Sequence, residues 1–582
     1  MKITTGSNAA PALVPGRRFL DAPLLLALHA GDGGSDDQDL LDHLANEPLD
    51  NSASLTRARN VIDWLDKLDL CTFYGHESEF SLPPAPYVLV LDQSARATGG
   101  PTLDDMREML VFARTDNINA HVVILGATDG FFTTDDAGAT VTLLAPHVNP
   151  WHLFRGATAV YCHSTGAGFD ALLAGHRPRV FGQPWYGGWG LTDDQSPDPT
   201  RSRRLTRAQI TLAALIDHAD WHDASGNPAP IEDVLAATEA QLRAARADAN
   251  GYVATNILPW KRRFMRQYFG ATHITFTDDP DVVAKEIAAG RTPLHWGNTD
   301  ADVTRIEDGF LRSKGLGAAL VRPLSLVSDD LGLYFDPTRP SRLENLIETR
   351  AQLPDYARAR IDTLLARIQQ AHLSKYNVGT AHPDLPVGHR ILVAGQVDDD
   401  ASIRFGAGEI NTNRALLQAA RAANPQSVIV YKPHPDVEAG LRRGKIPDAE
   451  TLADVVATNA DPIALIEACD EVWSMTSLIG FEALLRRKPV TCTGAPFYAG
   501  WGLTRDIGNV PARRGRSVDI AALAYATLID YPRYFHPETG APLSPEQAVT
   551  WLESARAGRS KPAQRALAII RQLRARFLGL SD

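Results

Sequence analysis

The chain has 582 residues, 44% hydrophobic and 22% charged, with a formal net charge of −11. A single core does not grow to that size, so about three or four domains are expected, and the acidic balance argues against a nucleic-acid surface. Four cysteines, Cys71, Cys162, Cys469 and Cys492, stand far apart with no CxxC pair, which speaks against a disulfide scaffold or a zinc site and for a reducing cytoplasm.

No run reaches the ~18 to 20 apolar residues of a membrane span. The apolar stretch from Ala22 to Ala30 is interrupted by His29 and lacks a basic leader with a cleavage site, so a signal peptide is not expected. In chain order, Val88–Leu91, Val122–Leu125, Ile391–Ala394 and Val428–Tyr431 read as buried parallel strands. Between them, alanine-rich segments such as Arg414–Ala423 and Asp461–Cys469 read as crossover helices. The expected class is α/β, doubly wound, and ligands then lie beyond the carboxyl ends of the strands. At the end of the chain, Lys561, Arg565, Arg571, Arg574 and Arg576 alternate with Leu567, Ile569, Ile570, Leu573 and Phe577. That pattern suits a basic amphipathic helix on an anionic bilayer, or equally a terminal helix packed on its own domain.

One segment is written twice. Gly182-Gln183-Pro184-Trp185-Tyr186-Gly187-Gly188-Trp189-Gly190-Leu191-Thr192 returns 312 residues later as Gly494-Ala495-Pro496-Phe497-Tyr498-Ala499-Gly500-Trp501-Gly502-Leu503-Thr504. The match runs without a gap back to Gly168 and Gly480, a spacing that means domain duplication and not a short solenoid repeat. The second copy looks complete, opening near Gly251. The first is shortened, because Gln396 stands 145 residues after Gly251 while its counterpart Gln93 has only 92 residues before it. The expected domains are 1–245, a degenerate and inactive partial module; 251–380, an acceptor-side Rossmann-like domain; 385–545, a donor-side one; and 546–582, C-terminal basic helices.

Four constellations can carry chemistry. Gln396 to Ile403 follows a strand and holds Asp398, Asp399 and Asp400. Three adjacent carboxylates repel, so one of them needs a specific partner or a raised pKa. An Asp there can be a nucleophile, a general base or a Mg²⁺ ligand, or simply part of a solvated turn capping the next helix. The first copy keeps the Gln but has Ala97 where Asp400 stands. Lys432-Pro433-His434-Pro435-Asp436 follows another strand and suits a phosphate; the first copy has Gly126-Ala127-Thr128-Asp129 there. Thr476 and Ser477 precede a helix and can offer hydroxyls and the helix N-terminus to a phosphate, with Glu482 toward ribose hydroxyls, or they can act as an ordinary cap. Glu307-Asp308-Gly309 occurs only in the complete copy and can supply the base for an acceptor hydroxyl. Arg312, Lys314 and Arg322 nearby can hold an anionic sugar or lipid phosphate, or pair within the domain. The twice-written aromatic turn is kept in both copies and is read chiefly as packing.

These motifs, together with Pro323-Leu324-Ser325-Leu326, Tyr334-Phe335-Asp336 and Arg339-Pro340-Ser341, resemble the capsule polysaccharide β-Kdo transferases of the KpsC type, over essentially all of 251 to 552. The resemblance implies a GT-B-like pair of Rossmann domains with CMP-Kdo as donor. It also implies a retaining reaction that extends a Kdo oligomer on lyso-phosphatidylglycerol. It assigns Asp400 as nucleophile, His434, Thr476 and Ser477 to the CMP phosphate and Glu482 to the cytidine ribose, with Gln396 and Lys432 as further donor-binding residues. Glu307 or Asp308 would activate the acceptor. It implies no metal and no other cofactor, a cytoplasmic protein peripheral on the inner membrane face, contact with other capsule assembly proteins, and a β-(2→7)-type linkage. Competing readings are another CMP-sugar donor such as sialic acid, or a non-catalytic polysaccharide assembly or export scaffold.

Overall fold

The computed structural model describes residues 35–70, 83–96, 100–146, 148–223, 227–269, 273–313, 321–375, 384–440 and 442–557. The chain forms two compact units, Met1–Ala245 and Arg246–Asp582. In the first, six parallel strands take the order Val141–Leu144, Val122–Leu125, Tyr87–Leu91, Ala157–Cys162, Arg179–Val180, Asp193–Asp194. This is the 3-2-1-4-5-6 order of a doubly wound nucleotide-binding sheet. Tyr87–Leu91 is buried along its whole length, as a central strand covered by helices on both faces must be. Met106, Met109 and Ala113 of the helix Leu103–Thr115 pack on Val88 and Val90.

The second unit holds two sheets. One repeats the same order with Val455–Val456, Val428–Lys432, Arg390–Ala394, Glu471–Ser474, Val490–Cys492 and Arg505–Asp506, all parallel. The other has seven strands: Pro542–Leu543, Pro532–Phe535, Ser325–Asp329, Thr304–Asp308, Thr292–Trp296, Tyr252–Thr255 and Ile274–Phe276. Its last four in that order are parallel, while Ser325–Asp329 and the two C-terminal strands run antiparallel. The expected α/β class of paired Rossmann-like sheets is therefore what forms. The segment assigned from sequence to the donor side returns before residue 545 to complete the other sheet. Phe535 stacks on Tyr268 with centroids 4.3 Å apart, and Arg533 pairs with Asp248 at 2.8 Å. Local sequence could not show this, because β-pairing with Ser325–Asp329 spans about two hundred residues.

The duplicated turn is architecture in both units. Tyr186 donates its hydroxyl to Thr165 O at 2.7 Å, and Tyr498 does the same to Ser477 O at 2.6 Å. The indole N–H of Trp189 reaches Trp185 O, and that of Trp501 reaches Phe497 O, each at 2.9 Å. Thr192 and Thr504 donate to Asp194 and Asp506, whose carboxylates also accept from the N–H of Gly188 and Gly500. Gly168 and Gly480 let the tyrosine hydroxyls in: a Cβ there would lie 2.1 and 2.2 Å from them. Among the described residues no helix is long and apolar enough to cross a membrane, and the basic C-terminal segment lies outside them.

Overpacking at such a contact costs about 1 to 3 kcal/mol. Gly480→Ala should lower the unfolding midpoint of the second unit and Gly168→Ala that of the first. Thermal or denaturant unfolding checks this, and unchanged midpoints would remove the steric argument.

Candidate active site

The carboxyl ends of the strands in the six-stranded sheet of the second unit face a cleft of about 760 Å³, whose other wall comes from the seven-stranded sheet. Its lining includes Glu307, Asp308 and Arg312 from one side and Gln396, Asp400, Lys432, His434, Thr476, Ser477 and Glu482 from the other. Candidates scattered over 175 residues of sequence thus meet in one cavity. Arg322 does not join them: its guanidinium is spent on Gln267 Oε1 and Pro537 O, each at 2.9 Å. This is the domain-internal pairing that competed with a ligand role for it. Lys314 lies outside the described residues.

Asp400 ends the turn after the strand Arg390–Ala394 and caps the short helix Ala401–Gly406, with Oδ1 accepting the Ser402 N–H at 2.8 Å. Its neighbours take different roles. Asp399 pairs with Arg442 at 3.1 Å, and burial pushes the Asp398 carboxyl above its ordinary value. The capping turn is real, and the same residue lines the cleft, its negative charge acting on the His434 imidazole.

Gln396 is a brace. Its Oε1 accepts the Thr476 N–H at 2.9 Å, and its Nε2 donates to Thr476 Oγ1 at 2.9 Å and to Ser402 Oγ at 3.4 Å. Gln93 makes the matching bond from the Ser164 N–H at 3.0 Å in the first unit, so what both copies retain here is a tie between two strand ends. The residue before it differs. Gly395 borders the cleft, whereas Asp92 turns its carboxylate onto the N–H groups of Gln93, Ala127, Phe131 and Phe132.

His434 caps the turn Pro435–Glu438, where proline at the first helical position gives up no needed donor. Its Nδ1 accepts the Asp436 N–H at 3.1 Å. Burial pulls its pKa down to about 4 despite the Asp400 charge, so the ring is neutral with its proton on Nε2. Lys432 is 3% exposed, with Nζ 2.7 Å from Glu438 Oε1 and 2.9 Å from Pro433 O. Ser477 accepts the Ile479 N–H at 3.3 Å as a cap. Glu482 is buried, its Oε1 accepting the Lys375 N–H at 2.8 Å, and burial raises its pKa to about 7.

On the opposite wall, Glu307 and Asp308 end the strand Thr304–Asp308 side by side. Burial and the adjacent Asp308 charge hold Glu307 above the usual carboxylate range. Asp308, despite its own burial, is held below it by the ion pair with Arg312. Two carboxyls driven apart in this way divide into one able to take up a proton near neutral pH and one that stays ionised. Trp260, Lys261, Lys375 and Arg442 also line the cleft, and sequence reasoning did not single them out. Lys261 sits 3.8 Å over the Trp296 ring; in sequence, Trp260-Lys261-Arg262-Arg263 is merely the start of a basic helix. Among the described residues no group of acidic, His or Cys side chains is arranged to hold a metal.

Paired Rossmann-type sheets opening on one polar cleft define the GT-B-like glycosyltransferase fold. Known proteins agree on the broader relationship. The family described as capsule polysaccharide biosynthesis protein matches residues 124–222, 296–386 and 361–534, reaching into both units, and the chain belongs to this family. It is 36% identical to the capsule polysaccharide modification protein LipA of Neisseria meningitidis serogroup B, over 85% of this chain and 76% of that one. Identity to the lipopolysaccharide-processing protein LpsZ of Rhizobium meliloti is 39%, over 50% and 71%. A solved structure of Thermosulfurimonas dismutans KpsC, β Kdo 2,7 transferase, is 34% identical and covers 52% of this chain and 99% of that one, with a TM-score of 0.43.

The raised Glu482 pKa has a thermodynamic consequence. The folded state binds this proton more tightly than the unfolded chain, so the stabilisation is full at low pH and is lost as pH rises from about 4.5 to about 7. Glu482→Gln removes that dependence. Its unfolding free energy relative to wild type should improve by on the order of 3 kcal/mol between pH 4.5 and pH 8, measured by denaturant titration. Parallel pH curves would refute the assignment.

Proposed function

We propose that this protein is a retaining glycosyltransferase that moves β-Kdo from CMP-Kdo to a Kdo-containing, lyso-phosphatidylglycerol-linked acceptor in capsule linker synthesis. The observation that carries the proposal is the meeting of Asp400, His434 and Glu307 in one cleft between two Rossmann-type sheets. Membership of the capsule polysaccharide biosynthesis family supports the pathway, and the motif resemblance supports the donor.

The reaction takes two displacements. In the first, an Asp400 carboxylate oxygen attacks the anomeric carbon while the bond from that carbon to the phosphate oxygen breaks. CMP departs with the electron pair, and an aspartyl ester remains. The Nε2–H of His434 and the hydroxyls of Thr476 and Ser477 donate to the leaving phosphate. In the second, Glu307 takes the proton of the acceptor hydroxyl as its oxygen attacks the same carbon, and Asp400 leaves as carboxylate. Two inversions give net retention. Glu307 suits the base because its proton affinity is raised, while Asp308 stays ionised on Arg312 and orients the acceptor side. Glu482 faces the nucleoside end, and no metal or other cofactor is invoked.

The first unit keeps the braces and the turn but has no counterpart of Asp400, Lys432 or His434, and we assign it a non-catalytic role. Segment 559–576 would bring the protein to the inner face of the cytoplasmic membrane, where the glycolipid and other capsule assembly proteins are found.

Purified wild type should transfer Kdo from CMP-Kdo to a Kdo-terminated glycolipid, and Asp400→Ala should lose at least about 1,000-fold in rate. Equal rates would sink the nucleophile assignment. Transfer from CMP-sialic acid alone would keep the enzyme class and change the donor, and no transfer from any CMP-sugar would favour the scaffold.

A further inference from the structure

Both groups that sequence nominates as cations for a phosphate are unavailable for that purpose. His434 is uncharged, and the Lys432 ammonium is buried against Glu438 at 2.7 Å. A nucleoside monophosphate leaves as a dianion, and neutral N–H and O–H donors alone meet such a charge poorly in a partly desolvated site. Arg312 answers Asp308 and Arg442 answers Asp399. Two further lysines, Lys261 and Lys375, line the cleft, and of the two it is Lys375 whose charge acts on His434.

Lys375 stands there because of its backbone. Its N–H donates to Glu482 Oε1 at 2.8 Å, and its carbonyl accepts the N–H groups of Arg312 and Ser313, each at 3.2 Å. The backbone of one residue is thus held from the donor-side helix Leu478–Leu484 and from the loop after the acceptor-side strand Thr304–Asp308. The side chain lines the cleft. Its positive charge acts on Glu307 and Asp308 of one wall and on His434, Asp436 and Glu482 of the other. Among the described residues, no other lysine or arginine is a leading influence on all five.

We propose that the Lys375 ammonium binds the phosphate of the nucleotide donor beside His434 and supplies the positive charge against which that phosphate departs. The inference rests on the nucleotide-sugar reading of the cleft and adds a donor-binding residue to it. In the first displacement, no proton leaves Lys375. It remains an ammonium and donates to a non-bridging phosphate oxygen as the bond to the anomeric carbon breaks.

Because the clamp is made by peptide groups, a side-chain change at 375 leaves it in place, and Lys375→Gln and Lys375→Arg should unfold at the wild-type temperature. Calorimetric binding of CMP and of cytidine to the full chain tests the contact. Lys375→Gln should weaken CMP about 10- to 100-fold, the effect of deleting one charge-assisted hydrogen bond. Cytidine binding should not change, and Lys375→Arg should recover most of the loss. Undiminished CMP affinity in Lys375→Gln would overturn the proposal, as would a parallel fall for cytidine. Weaker CMP-Kdo binding with unaltered CMP binding would also overturn it and assign the lysine to the sugar carboxylate. A wild type that binds CMP in this Lys375-dependent way yet transfers no Kdo would leave the phosphate site standing and remove the transferase reading.

Discussion

The bond from the Lys375 N–H to the Glu482 carboxylate is the contact on which the site depends. Glu482 belongs to a helix packed on the six-stranded sheet, and the residue it holds is anchored through its carbonyl by Arg312 and Ser313. Around this point the carboxylates of Glu307 and Asp308 and the His434 imidazole and Thr476 and Ser477 hydroxyls face one cavity. The return of Pro532–Phe535 to the seven-stranded sheet, with Arg533 on Asp248 and Phe535 on Tyr268, closes the chain over the same two layers. A buried carboxyl that accepts a backbone N–H is satisfied in geometry but still short of solvation, so its proton affinity rises. Structural tie and electrostatic strain sit in one residue.

The duplication separates fold from chemistry within a single molecule. Gln93 and Gln396 bridge equivalent strand ends, and Tyr186 and Tyr498 lock equivalent helix starts through glycines that admit their hydroxyls. What changes is the occupant of the strand ends. Gly395 borders the cleft, and a Cβ there would meet Lys432 O and the Tyr431 ring, whereas Asp92 uses its carboxylate to hold the neighbouring loop together by four backbone N–H groups. The sheet core of that unit is built from Val88, Val90 and Met106 and does not depend on what stands at the strand ends.

Periodicity and β-branched runs determined by themselves the α/β class and the strands over Val88–Leu91, Val122–Leu125, Ile391–Ala394 and Val428–Tyr431, three of which the structure extends by one residue, because strands buried on both faces must be apolar throughout. Position just after a strand marked Asp400, His434 and Glu307, since ligands in such sheets lie beyond the carboxyl ends. Only the tertiary structure decided the charge states. Burial discharged His434, Glu438 claimed Lys432, Gln267 and a backbone carbonyl claimed Arg322, and Arg312 kept Asp308 ionised while burial raised the proton affinity of Glu307. Lys375 and Lys261 had no motif to announce them, and folding brought them to the cleft from segments of the 251–380 region that no constellation had marked. The reason is physical: residue type and spacing are properties of the chain, whereas proton affinity and ion pairing are properties of what lies within a few ångströms, and long-range packing alone sets those neighbours.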